Sequence, residues 1–395
     1  MSIPVFHSFP SWMLSGVCSW STDLINGLPD WDQHILLTGL LPPGGRPSDF
    51  LPDLPCVDIR LPWDASRHRQ WKHFARTLAE MAPCIYIPNF DFDRSCAVGL
   101  LPKNVAVCAI LHSDEHCYYE EARRLGANWD AAVSVSAEVF EKTKTLVPAL
   151  ADRLFRIPHG IPLPSAGCLT IHAGPIRLLY TSRLSQYQKR IFDLPVLAKA
   201  LVDTGVDFVL TIAGDGPDEM EIKARFEETG LGDRVRLLGR VPREEARLLG
   251  QEADVFLLTS DFEGLPISLL EAMACGAVPV AYRIRSGLGE AITDGHNGFL
   301  VPHADVGALA GAIARLANNR ALLNSLSACA SETVREKFSL DRMCAAYAAI
   351  FTQLAEKAAR GECIKRFGNV RPILQKNLIT RVAQRLDRIF KSANI

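Results

Sequence analysis

Short apolar runs alternate with longer stretches of helical periodicity along this chain. In the first half, "HILLTGL" (34–40), "CVDIRL" (56–61), "CIYIPNF" (84–90), "VAVCAILH" (105–112) and "AAVSVS" (131–136) read as strands. Between them "RQWKHFARTLAEMA" (69–82) carries apolar residues at helical spacing. Strands this uniformly apolar suit a parallel sheet covered on both faces, the product of βαβ units. The proline- and glycine-rich "IPHGIPLPSAG" (157–167) breaks the pattern and reads as a linker. Beyond it the alternation restarts. "IRLLYTSRL" (176–184), "DFVLTIAGDG" (207–216), "RVRLLGRV" (234–241), "ADVFLLTS" (253–260) and "AVPVAY" (277–282) read as strands, and 193–205 and 244–253 as helices.

The pattern predicts an α/β protein with two doubly wound, Rossmann-like domains in tandem, residues 1–165 and 166–340. A crossover helix and tail follow over 341–395. A chain of 395 residues is too long for one core and suits two. Ligands of such sheets bind beyond the carboxyl ends of the strands, so two facing domains enclose a cleft.

Charge changes this picture only at one end. The net charge of −1 gives the body no electrostatic reason to bind nucleic acid. Residues 357–395, however, hold ten Lys or Arg against Glu362 and Asp387. Within them "KNLITRVAQRLDRIFK" (376–391) sets Leu378, Ile379, Val382, Leu386, Ile389 and Phe390 on one helical face and Arg381, Arg385 and Arg388 on another. Such a helix either lies on an anionic membrane surface or packs back on the first domain, and both stay open. The eleven cysteines show no C-x-x-C and read as small buried hydrophobes of a reducing compartment. With no signal-like start and no spanning segment, the expected location is the cytoplasm, or a membrane approached from that side.

The chemistry concentrates in "SDFEGLPISLLEAMACGAVPVA" (260–281). Pro266 suits a first helical position, where its missing N–H costs nothing. The amide N–H groups around Pro266, those of Gly264 and Leu265 before it and of Ile267 and Ser268 after it, then form an anion site backed by the helix dipole, matched to a diphosphate. Glu263, in the loop, can accept from hydroxyls beyond the phosphates. Glu271, about five residues into the helix, can take two vicinal hydroxyls, as a ribose offers. A ligand with hydroxyls at both ends and phosphates between is a nucleotide sugar.

"FEGLPISLLEAMACGAVPVA" closely resembles the E-x7-E segment of family 4 retaining glycosyltransferases of the GT-B fold. The similarity continues through "SRLSQYQKR", "IAGDGP", "LLGRV" and "DGHNGFLVP", in the family's order, from about residue 176 to 301. The resemblance implies transfer of a hexosyl unit from a nucleotide-diphosphate sugar to a glycan, lipid-linked sugar or small-molecule acceptor. Arg183 and Lys189 look like the pair that neutralises the leaving diphosphate; two cations at a strand end suit that task. Arg240 and Val241 resemble the backbone that reads the base, and Gly214 the turn lining the same pocket. His112 looks like the first-domain histidine facing the donor sugar, and Gly16 fits the first glycine loop.

The resemblance further implies that the donor phosphate deprotonates the acceptor on the same face of the sugar. Glu263 is the obvious candidate for the alternative, a carboxylate nucleophile. The chain departs from the family's usual pattern at Ser182, often Gly, at His159, often Asn, and at "SGLGE" (286–290), where the usual glycine pair is separated into Gly287 and Gly289. Asp91 and Asp93 form a D-x-D but read as an ordinary polar loop, so neither a metal nor a cofactor is expected. A sugar- or nucleotide-binding scaffold of the same fold without activity is the rival reading. A nicotinamide-dependent dehydrogenase would need a G-x-G-x-x-G after the first strand, which is missing. An epimerase or a phosphorylase is the nearest enzyme alternative, although the phosphorylase would need a pyridoxal phosphate lysine. Whether the nucleotide is UDP, GDP or ADP stays open, as does the acceptor.

Overall fold

The computed structural model describes residues 3–12, 15–39, 54–59, 61, 65–164 and 174–364. The amphipathic stretch 376–391 lies outside the described residues. Thirteen described strands build two wholly parallel sheets. The first contains β1 (Val5–Phe9), β2 (Gln33–Leu37), β3 (Cys56–Asp58), β4 (Cys84–Ile87), β5 (Val105–Leu111), β6 (Ala131–Ser134) and β7 (Leu154–Arg156), in the order β3-β2-β1-β4-β5-β6-β7. The second contains β8 (Ile176–Thr181), β9 (Phe208–Ala213), β10 (Val235–Gly239), β11 (Val255–Leu258), β12 (Val278–Tyr282) and β13 (Phe299–Val301), in the order β10-β9-β8-β11-β12-β13. Each order reverses once, between β1 and β4 and between β8 and β11. Those switch points open a crevice at the strands' carboxyl ends.

The pattern of apolar runs located most strands but overlooked β1, β7 and β13. Strand β1 breaks the apolar rule because His7 and Ser8 are fully buried in it. His7 Nε2 meets Gln33 Oε1 at 3.1 Å and Ser8 Oγ donates to Asp91 Oδ2 at 2.9 Å. Polar groups tolerated inside a central strand by side-chain partners are invisible to hydropathy. The other two are three-residue edge strands, too short to show a period. The helix expected over 69–82 is Arg67–Glu80.

One apolar cluster runs through both domains, joining Val5, Trp20 and Ile110 of the first to Leu265, Leu269 and Met273 of the second. The helix Leu340–Arg360 adds Tyr347, Phe351 and Leu354 to it and packs on the first domain, against the helix Gly16–Gly27 and strands β4 and β5. Among the described residues no helix is long and apolar enough to cross a membrane.

Candidate functional site

Strand ends β8 and β9 lie unusually close. A Cβ on Gly214 would stand 1.9 Å from the Ser182 carbonyl oxygen, and one on Gly216 2.2 Å from that of Leu184. Gly214 also has φ of +147°, so the turn demands glycine twice over. Arg240, at the end of β10, pairs with Asp215 at 2.8 Å, and Val241 follows it in the same loop.

The loop after β11 is fastened to the short helix Gln186–Lys189. Asp261 N donates to Gln188 O at 2.8 Å, Gln188 Nε2 to Phe262 O at 3.2 Å, and Thr259 Oγ1 to Lys189 O at 2.6 Å. These bonds deliver Lys189 Nζ to Glu263 Oε1 at 2.5 Å, and Ser260 Oγ donates to the same oxygen at 2.6 Å. Glu263 is 6% exposed. Its negative charge is therefore held by a cation and a hydroxyl, as a buried carboxylate requires. Arg183 lies at the same strand end but is exposed, its Nη2 donating to Gln188 Oε1 at 3.3 Å. Arg190, next in sequence to Lys189, turns away in a left-handed conformation and pairs with Asp193 at 2.9 Å.

Pro266 occupies the N-cap of the helix Ile267–Ala274, one position earlier than expected, with extended backbone. Its locked φ suits that place equally well, and its own missing N–H leaves one fewer group unpaired. The N–H groups of Gly264, Leu265, Ile267 and Ser268 meet no backbone acceptor among the described residues. Glu271 is the fifth residue of this helix, one turn beyond them.

Glu271 does not stand free. Arg243, just after β10, approaches it with Nε at 2.9 Å and Nη2 at 2.7 Å. The other edge of the same guanidinium reaches the first domain, donating to Asp23 Oδ1 at 2.7 Å and Oδ2 at 2.6 Å. Burial raises the Glu271 carboxyl above its ordinary value while Arg243 draws it back down. Burial works against the Arg243 charge as well, but Asp23 and Glu271 outweigh it and its pKa rises. Neither Arg243 nor Asp23 stands out in the sequence. A basic residue opening the helix that follows "LLGRV" was the available signal for Arg243.

His112, at the carboxyl end of β5, is buried. Its Nε2 lies 3.1 Å from Asn89 Oδ1, a pure acceptor, so the proton sits on Nε2 and Nδ1 keeps a bare lone pair without a partner. Burial, then His159 and His7, lower its pKa well below the usual histidine value. His112 meets the second domain directly: a Cβ on Gly264 would lie 2.2 Å from the His112 carbonyl oxygen. Gly287 N donates to Gly264 O at 2.7 Å, and His159 Nδ1 binds Leu265 O at 2.9 Å. His112, Gly264, Leu265 and Glu263 with Lys189 therefore come together across the domain boundary.

Gly16 behaves otherwise. It opens the helix Gly16–Gly27, capped by Ser15 Oγ, and a Cβ there would meet nothing within 4 Å. The protein itself imposes no close approach at that glycine. In the D-x-D, Asp91 is buried and accepts from Ser8, Thr38 and the Arg94 amide, while Asp93 pairs with Arg94. Among the described residues no cluster of His, Cys, Asp or Glu has metal-holding geometry.

Residues 169–333 match the family model described as glycosyl transferases group 1. The chain is 33% identical over 172 residues to a putative colanic acid biosynthesis glycosyltransferase, WcaL, of Salmonella typhimurium, covering 42% of each chain. It is 37% identical over 154 residues to the amylovoran biosynthesis glycosyltransferase AmsK of Erwinia amylovora, covering 37% of each. The matched stretch thus spans less than half the length of these relatives. Among solved structures, a sucrose-phosphate synthase from Thermosynechococcus elongatus superposes with a TM-score of 0.73 at 19% identity, over 89% of this chain and 99% of that one. HepE of Anabaena, in complex with UDP and glucose, superposes with a TM-score of 0.69 at 18% identity, over 88% and 99%. The two parallel-sheet domains have the GT-B fold.

Proposed function

We propose, from the match of residues 169–333 to the family model of group 1 glycosyl transferases, that the chain moves a hexosyl unit from a nucleotide-diphosphate sugar to a carbohydrate or lipid-linked acceptor, with retention at the transferred carbon. The observation that carries this reading is the juxtaposition of Lys189, Glu263 and the helix start Gly264–Ser268, with Glu271 one turn on.

In this reading the diphosphate lies against the amides of Gly264, Leu265, Ile267 and Ser268, with Arg183 and Lys189 as counter-charges. Exposed Arg183 is free to swing onto it, while Lys189 exchanges part of its bond to Glu263 for the phosphate. The leaving diphosphate gains negative charge as the sugar–oxygen bond breaks, and preplaced cations and amides stabilise that charge without reorganising. The acceptor hydroxyl attacks from the face the diphosphate leaves, and a phosphate oxygen takes its proton. Glu271 holds the ribose hydroxyls, for which Arg243 must yield one of its bonds. The backbone of Arg240 and Val241, with the Gly214 turn, lines the base. His112, neutral and with Nδ1 as an acceptor, takes a hydroxyl of the donor sugar. The chemistry calls for no cofactor. The HepE structure, which holds UDP and glucose in the same fold, is consistent with a nucleotide-sugar ligand.

The test is thermal stability and nucleotide release with a panel of UDP-, GDP- and ADP-sugars. One nucleotide class should raise the melting temperature, and Glu271→Ala should abolish that rise. Lys189→Ala should lower kcat by roughly 10²–10³-fold, the usual effect of removing one donor of developing negative charge. Stabilisation without any turnover, across a panel of acceptors, would overturn the enzyme in favour of a binding scaffold. No stabilisation by any nucleotide sugar would overturn both.

A further inference from the structure

In the first sheet β4 runs between β1 and β5, so the turn that follows it has the ends of both strands as neighbours. That turn is Pro88-Asn89-Phe90-Asp91, closed by Asp91 N donating to Pro88 O at 3.0 Å. Asn89 is its second residue, with φ of +47° and 1% exposure. Glycine serves a left-handed position without strain, and asparagine is tolerated there because its side chain can bond backbone close by. Here the side chain reaches further. Its Nδ2 donates to Ser8 O of β1 at 3.5 Å, and its Oδ1 lies 3.1 Å from His112 Nε2 at the end of β5. The Ser8 carbonyl fixes which way the amide faces, since the flipped amide would set oxygen against oxygen.

Asp91 holds the turn in place. It is buried, its Oδ2 accepting from Ser8 Oγ at 2.9 Å and from Thr38 Oγ1, and its Oδ1 from Arg94 N at 3.3 Å. The turn is thereby tied to β1, to the residue after β2 and to the segment that follows. The first aspartate of the D-x-D thus serves Asn89.

For His112, Asn89 is the one hydrogen-bond partner among the described residues, since Nδ1 has none. The ring packs edge-to-face on Trp20, with centroids 4.9 Å apart. Packing sets the plane of an imidazole, but the hydrogen bond at one nitrogen decides which of its two neutral tautomers is present. Burial, then His159 and His7, oppose the charged form, so this choice of tautomer is the one left to make.

We propose that Asn89, held by Asp91 in its left-handed turn, is a positioning residue: it commits neutral His112 to the Nε2–H tautomer and leaves Nδ1 as an acceptor. The proposal rests on the reading that His112 takes a hydroxyl of the donor sugar. Strained backbone at a buried non-glycine residue persists where the surroundings over-determine it, and here Asp91 on one side and His112 on the other do so.

The experiment uses the full chain with ¹⁵N-labelled histidine, whose long-range ¹H–¹⁵N correlations report the tautomer. The His112 signals are those absent from His112→Gln. Asn89→Gly deletes the amide while suiting the left-handed backbone, and in it His112 should show the averaged signals of a tautomer mixture. Asn89→Asp still offers an acceptor and should keep the Nε2–H form, while its carboxylate raises the His112 pKa against the unchanged His159 and His7. In a second arm UDP-, GDP- and ADP-glucose are each compared with the free diphosphate. Asn89→Gly should bind the nucleotide sugar about tenfold more weakly, and the free diphosphate as the unaltered protein does, because only the sugar meets His112. A turn needed for folding alone would affect both ligands alike. If the unaltered protein binds no nucleotide sugar, the donor reading fails, and the tautomer signature alone upholds or overturns the role of Asn89. The proposal is overturned if His112 stays wholly in the Nε2–H form in Asn89→Gly, or if that variant changes the affinity for sugar-bearing and free diphosphates equally.

Discussion

His159 shows how one buried side chain ties stability to pH. Unfolded, its imidazole takes a proton near pH 6.5; folded, burial holds it neutral down to about pH 4. Between those values the unfolded chain binds more protons, so stability grows as pH rises through the window and is lost as pH falls. At 1.36 kcal/mol per pKa unit, this single residue makes the fold about 3 kcal/mol less stable near pH 4 than at neutral pH, because the folded state resists the protonation that the unfolded chain accepts. His7, likewise lowered to about 4 by burial, adds to the same loss. His159→Asn retains a donor for the Leu265 carbonyl and removes the titration. The fall in melting temperature between pH 6.5 and 4 should therefore become shallower in that variant. An unchanged slope would show that His159 is not the neutral buried group described.

At the scale of elements, the loop between β11 and the helix Ile267–Ala274 is shaped by what lies behind it. Gly264 fits only because it has no Cβ: the His112 carbonyl oxygen would be at 2.2 Å and Val135 Cγ2 at 3.0 Å. Gly264→Ala must push the loop from the first domain, at a cost of about 1–3 kcal/mol as overpacking usually exacts. The melting temperature should fall, and affinity for a nucleotide sugar should fall with it, since the displaced segment carries the amides assigned to phosphate. Gly16→Ala is the matched control, because a Cβ there meets nothing within 4 Å. Calorimetry on both should find Gly16→Ala neutral to slightly stabilising. Equal behaviour of the two variants would refute the close approach at Gly264.

Across the whole molecule, Arg243 joins the domains by gripping Asp23 on one side and Glu271 on the other. Removing one partner of a largely buried pair costs about 3–5 kcal/mol when the remaining charge is stranded. Here Glu271 still answers Arg243, so a smaller cost, of about 1–3 kcal/mol, follows. Asp23→Asn keeps the shape and removes the charge. It should lower the unfolding midpoint and, in X-ray scattering, raise the radius of gyration as the domains part more often. A radius and midpoint matching the original protein would mean that the apolar cluster shared by the domains holds them without this contact.

The apolar runs and turn residues determined the two-domain parallel α/β plan, because strand burial and helix periodicity are local properties of the chain. Glu263, Glu271, Lys189 and the start of the helix between the acids were legible for the same reason: they sit within or beside single strand–loop–helix units. What the tertiary structure decided was partnership. That Lys189 answers Glu263, that Arg243 answers both Glu271 and Asp23, and that His112 backs onto Gly264 depend on residues brought together from distant parts of the chain. Strand β1 escaped the sequence likewise, since buried His7 and Ser8 look like surface residues until Gln33 and Asp91 are beside them. Hydropathy records how much each residue avoids water, but a buried charge or polar group is stable only through a specific partner, and only the fold selects that partner.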